Sequence, residues 1–273
     1  MNLESLYPHA GNHSIQNAIL AIEWGSEFSI AQLEKLRFSA RSHLKDYPKE
    51  EPQQSIRVNF VAGQNAVPIP TPEITGYVFS RFSPNGEIQK QVHISRTNCL
   101  MIVSDYNRWG DLLDEASLLL SVIFPAINED VLVAAAGLQY SDRFIWKSTS
   151  MSINFRDVFR VNSPFIAAHS LACSEPWHSH HGYFMSCDTP IPHTRLDNIN
   201  VNVADEAEGR SIQILTSHRA LFKTPIPATI QAITSVIDIE NSMHMKNKEI
   251  FKQLLTDDLL TKINLTDRDH HPN

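Results

Sequence analysis

Residues 74–95 read ITGYVFSRFSPNGEIQKQVHIS. Two runs rich in β-branched and aromatic residues, 74–82 and 87–95, flank Ser83-Pro84-Asn85-Gly86. Proline presets its own φ, and Asn-Gly accepts the positive φ values of a tight reversal, so the stretch predicts a β-hairpin. Arg96-Thr97-Asn98 turns the chain again, and 99–104 adds a third strand, giving an antiparallel meander.

Upstream, 17–24 is a strand rich in Ile, Leu and Ala that ends at Trp24-Gly25. Ser29 and Gln32 have capping-box spacing. The stripe Ile30, Leu33, Leu36, Ala40 and Leu44 then predicts a helix, stopped by Pro48 and the run Lys49-Glu50-Glu51-Pro52. A strand at 55–61 and a link containing Pro68, Pro70 and Pro72 lead into the hairpin.

Downstream, 109–124 is an amphipathic helix with Trp109, Leu112, Leu113, Ala116, Leu120 and Ile123 on one face, ended by Pro125. A long strand follows at 131–146; its Ala134-Ala135-Ala136-Gly137 segment implies close packing against a helix or another chain. Between 148 and 171 the pattern favours only a short helix at 165–171. Strands are expected at 178–186, 194–204 and 210–216. In the second of these Ile199, Val201 and Val203 alternate with Asn198, Asn200 and Asn202, the mark of one buried and one polar face. A long helix at 228–255 and a short one at 257–263, capped by Thr256, precede a polar tail at 266–273 that is expected to be disordered.

Runs of strands broken by single helices, without repeated strand–helix–strand crossovers, give an α+β fold. The expected architecture is two curved antiparallel sheets with long amphipathic helices packed on one face. They divide the chain into an N-terminal half, 1–147, and a C-terminal half, 148–265, that can fuse into one domain.

Composition narrows function by exclusion. The 273 residues carry a formal net charge of -7, and no dense Lys/Arg run offers a nucleic-acid footprint. Only 9 glycines are present, and none fall in a phosphate-cradling or nucleophile-elbow pattern. Three widely spaced cysteines, Cys99, Cys173 and Cys187, imply no disulfide framework and fit a reducing cytoplasm. The first 13 residues lack the features of a signal peptide, and no apolar run reaches the ~20 residues of a membrane span.

Asn17-Ala18-Ile19 and Ile22-Glu23-Trp24, Gly76-Tyr77-Val78-Phe79-Ser80 with Gln89 and Gln91, Ser95-Arg96, and Asp105-Tyr106-Asn107-Arg108-Trp109 form one set of recurring motifs. Gly137-Leu138-Gln139-Tyr140-Ser141-Asp142-Arg143-Phe144 and His244, Asn247, Phe251, Leu254, Leu255 and Thr256 complete it. In these the chain resembles a sporadically distributed bacterial protein family of unknown function, whose members often lie near phage-defence or mobile-element genes. The resemblance implies such a setting and carries over no catalytic residue.

Three constellations could carry chemistry. Cys173, His178, His180 and Cys187, with His181 and His193 nearby, offer enough N and S ligands for zinc but lack the usual ligand spacing. On the last helix the stripe Ile233, Ile237, Glu240, His244, Asn247, Phe251, Leu254 is apolar at its ends and polar in its middle. Buried polar groups must be paired, so Glu240, His244 and Asn247 are either a register-fixing network or a ligand pocket, in which a paired Glu would raise the histidine's pKa. Third, Tyr140, Asp142 and Arg143 end the long strand, and Arg143 with Arg81 and Arg96 could bind phosphate or a carboxylate. Cys99, inside an apolar strand, reads as core.

The leading expectation is a non-enzymatic binding or regulatory protein that works by assembly, either as a homo-oligomer or with a protein partner. It needs no cofactor. The candidate surfaces are the Asn198/Asn200/Asn202 and Gln89/Gln91/His93 rows. The alternatives are a metal-dependent hydrolase or nuclease-like enzyme using His178, His180 and His181, and a small-molecule sensor with its pocket near Glu240 and His244.

Overall fold

The computed structural model describes residues 3–57, 71–127, 131–148 and 153–265. Among the described residues ten strands form a single sheet in the order β3-β4-β5-β6-β2-β7-β10-β9-β8, with β1 also pairing β7. The strands are β1 (Leu6–Pro8), β2 (Ile15–Trp24), β3 (Lys49–Arg57), β4 (Thr71–Phe82), β5 (Ile88–Ser95), β6 (Asn98–Val103), β7 (Leu132–Trp146), β8 (Trp177–Cys187), β9 (His193–Glu206) and β10 (Gly209–Pro227). The helices are α1 (Ile30–His43), α2 (Trp109–Ala126), α3 (Phe155–Val158), α4 (Ile230–Leu254) and α5 (Asp257–Lys262). Among the described residues no helix is long and apolar enough to cross a membrane.

The mixed α+β class and the antiparallel pairing agree with the sequence reading. The two expected sheets do not: β2 pairs β7 from Ile15↔Asp142 to Trp24↔Val133, and β7 pairs β10 along its other edge. That central pairing joins the halves into one sheet. Both halves use the same path. A first strand sits at the centre, a helical segment follows, a meander returns to pair its last strand with the first, and a helix closes the unit.

Local chemistry explains the elements. The Ser29–Gln32 capping box forms in both directions and starts α1. Gly86, at φ 86°, makes the hairpin turn. The Lys49-Glu50-Glu51-Pro52 run, expected to stop a helix, instead begins edge strand β3, where charge and proline are tolerated because one side of the backbone stays unpaired. Pro125 falls inside the last turn of α2, one residue before its end. The expected helix at 165–171 is a 3₁₀ turn at Ala168–Ala172, and α3 precedes it. Residues 58–61 of the expected strand, the proline link through Pro70, and the 266–273 tail lie outside the described residues.

Two apolar cores result. One packs Ala18, Leu20 and Ile22 of β2 and Val92 and Met101 of the meander against α1, α2 and the first half of α4. The other packs Ile199, Val201 and Ile214 against α3, α5 and the end of α4. α4 runs from one core to the other and contacts both β7 and β10.

The β9–β10 turn closes on Gly209 at φ 138°, where a Cβ would run into the Trp146 carbonyl oxygen. Gly209→Ala is therefore expected to lower unfolding free energy by about 1–3 kcal/mol, measured by urea titration; an unchanged midpoint would contradict this turn geometry.

Candidate functional site

The seam between the two cores is polar. On β7, Tyr140 and Asp142 are two residues apart and so share a face, and both are buried. Their partners in register on β10 are Thr216 and Ile214, and His218 follows Thr216 on the same face of that strand, with Asp197 opposite it on β9. α4 lays His244 and Asn247 over this seam.

A buried chain of hydrogen bonds ties the helix down. Arg195 Nε donates to both oxygens of Asp197, at 2.9 and 3.1 Å. Asp197 Oδ1 lies 2.7 Å from His218 Nδ1, and His218 Nε2 lies 3.2 Å from Asn247 Oδ1. Burial pushes the Asp197 carboxyl up, but the His218 and Arg195 contacts together outweigh it and hold the group below its ordinary value.

Beside this chain a cavity of ≈ 260 Å³ opens between the start of β2, the loop before α2, the end of β7 and α4. Its walls carry Tyr106, Trp109, Tyr140, Asp142, His244 and Lys248. The Tyr140 hydroxyl and His244 Nδ1 are hydrogen-bonded at 2.9 Å. The His244 ring stacks on Trp109, with centroids 4.3 Å apart and planes 9° apart, and Trp109 Nε1 donates to Asn241 Oδ1 at 2.9 Å. Tyr106 meets both Tyr140 and His13 edge to face. Burial, reinforced by the nearby Lys248 and His218, lowers the His244 pKa to about 3, so the ring is neutral. This reverses the expected upward shift from a paired Glu, because Glu240 turns elsewhere.

Asp142 is the unusual member. Ser14 Oγ donates to its Oδ1 at 2.7 Å, while Oδ2 has no partner among the described residues. Burial pushes the carboxyl up to about 7, against the Ser14 bond that draws it down. His13 Nδ1, on the same cavity, is also buried and has no partner among the described residues.

No family model matches the chain, and no curated protein does. The chemistry of the site therefore rests on its geometry. Tyr140, His244 and Asn247 converge there, as does Asp142. Glu240 is buried one helical turn away against Leu20, Ile22, Met101 and Leu120. Among the described residues neither of its oxygens finds a hydrogen bond of ordinary geometry, and burial pushes it well above its usual value despite the nearby Gly137 backbone. Arg143 points to the opposite face of β7 and pairs with Glu206. Arg81 pairs with Asp105, and Arg96 with Glu27 and Glu73, so the arginines do not assemble.

The expected zinc ligands do not converge either. His178 and Cys187 stand at opposite ends of β8, ~30 Å apart at ~3.3 Å per residue. His181 packs edge to face with Phe165 and Tyr183, and His193 Nδ1 bonds the Ile191 carbonyl. Among the described residues no three His, Cys, Asp or Glu side chains come close enough to share an ion. Cys99 is core, and burial raises its thiol to about 12.

His13, Ser14, Tyr106, Trp109 and Lys248 were not read as site residues. The period-2 spacing of Tyr140 and Asp142 with the i, i+4 spacing of His244 and Lys248 was the available signal.

The two titrations oppose each other. Between its ordinary value of 3.8 and about 7, folded Asp142 keeps a proton that the unfolded chain has lost, so its contribution to stability falls as pH rises. His244 refuses a proton that the unfolded chain takes up from 6.5 down to about 3, so its contribution falls as pH drops. The unfolding free energy of the wild type minus that of Asp142→Asn is expected to decrease by roughly 4 kcal/mol from pH 4 to pH 8. The corresponding difference for His244→Gln is expected to rise over pH 4–7. Two flat difference curves would contradict the burial of both groups.

Proposed function

We propose that the protein is a small-molecule-binding module whose receptor site is the cavity under α4. The observation that carries this reading is Asp142, buried on the cavity wall with one carboxyl oxygen unpaired among the described residues. Leaving a buried acceptor unsatisfied costs ~1–3 kcal/mol, which a ligand donor offsets. Convergent polar groups in an aromatic-lined concavity support the same reading. The Arg195–Asp197–His218–Asn247 chain holds one wall in place, as a receptor requires.

A second reading has one observation in its favour. A carboxyl raised to about 7 beside a cavity is suited to proton transfer, so Asp142 would serve as a general acid–base in an enzyme.

The wider role fits a sensor. On the strands, buried positions alternate with half-exposed ones. This supports long helices packed on one face and an opposite face, including Asn198, Asn200 and Asn202, free for assembly with a protein partner or a second copy. Three widely spaced cysteines fit a cytoplasmic setting, and the sequence resemblance adds a role in phage defence.

Benzamide, a neutral planar probe with N–H donors, tests the receptor reading. It is expected to raise the melting temperature saturably, and His244→Ala, which removes the Trp109 stack and the Tyr140 bond, should abolish that response. An equal response in the variant would place binding elsewhere.

A further inference from the structure

The cavity carries groups of both signs. One part of its wall presents Asp142 Oδ2 and His13 Nδ1, both buried and both without partners among the described residues. Ser14 is committed to Asp142 Oδ1. The helix side carries a cation. Lys248 lies one helical turn beyond His244 on the same face of α4 and lines the cavity. Among the described residues no carboxylate pairs with it, since the acidic neighbour Glu249 is taken by Lys246. Its charge is felt inside, where it acts against protonation of His244. Arg108 also lines the cavity and is held by Asp111. The other walls include Tyr106, Trp109, Tyr140 and His244, which offer ring surface.

A neutral ligand would leave Lys248 unanswered, and a simple anion would set its charge against Asp142 and the unpaired acceptors. We infer that the cavity takes a dipolar organic molecule, with an ammonium or N–H donor group at Asp142 and His13, a carboxylate or similar acid group at Lys248, and a flat unsaturated body against the aromatic walls. This rests on the receptor reading above and adds to it the chemical class of the ligand. Charge-assisted hydrogen bonds at Asp142 and at Lys248 make the two recognition groups reinforce each other only in a molecule that carries both. Among the described residues Asp142 Oδ2 has no partner and no ion pair joins Asp142 to Lys248, so neither group is neutralised by the other before the ligand arrives.

Four probes of one shape separate the possibilities: 4-(aminomethyl)benzoate, benzylamine, benzoate and benzamide. Each is titrated by ligand-observed NMR at pH 8, where Asp142 is ionised. 4-(Aminomethyl)benzoate is expected to bind at least about tenfold more tightly than benzylamine or benzoate, the gain from one charge-assisted contact. Asp142→Asn should bring it to the level of benzoate, and Lys248→Met to that of benzylamine. If benzamide binds in a His244-dependent way but the dipolar probe is no tighter, this inference is overturned while the receptor reading stands. If none of the four binds, both fall. Lys248 is half-exposed and makes no ion pair among the described residues, so Lys248→Met decides the matter even if Asp142→Asn does not fold.

Discussion

One buried contact organises the molecule: the His218 imidazole, held by Asp197 on one side and meeting Asn247 on the other. Hydrophobic burial alone is indifferent to where a long helix sits along an apolar sheet, because it scales with area and has no direction. A buried hydrogen-bond chain has direction, and breaking it leaves charged and polar groups stranded. The Arg195–Asp197–His218–Asn247 chain therefore sets the register of α4 on the sheet. With that register fixed, His244 meets Tyr140 and Trp109, and Lys248 reaches the cavity.

The same register accounts for Glu240. One turn before His244, it falls over the apolar core of β2 and β6 and not over the seam. Both residues interrupt the same apolar stripe, yet one joins a network and the other is buried against hydrocarbon. Their pKa values move away from ionisation in both cases, by the same cause: charge is costly where water is absent.

Much of this was legible in the sequence, for reasons that can be named. The α1 cap, the 83–86 turn and the Ile199/Val201/Val203 alternation are local patterns, and each forms as read. The buried polar middle of the last helix was legible too, because Glu240, His244 and Asn247 recur at helical spacing within a stripe that is apolar at both ends. β10 was not. It runs on to Pro227, well past the expected end at Thr216, because its inward residues there are Thr216, His218 and Ala220 while Leu215 and Leu221 face outward. Hydropathy alternation is inverted where the interior is polar. The joining of two sheets into one was hidden because β2 and β7 are separated in sequence by more than a hundred residues, and no local pattern encodes their pairing. For the same reason Ser14 and Asp142, 128 residues apart, gave no joint signal.

α4 has 25 residues and, at ~1.5 Å per residue, is a rod of ~37 Å without an internal proline. Its first turns are packed into one core and its last turns into the other, with the seam beneath the stretch between them. A stiff beam supported at both ends cannot shift at mid-span without loading its supports. The two cores are thus mechanically in series, and any motion that widens or narrows the seam is shared along the whole length of the molecule.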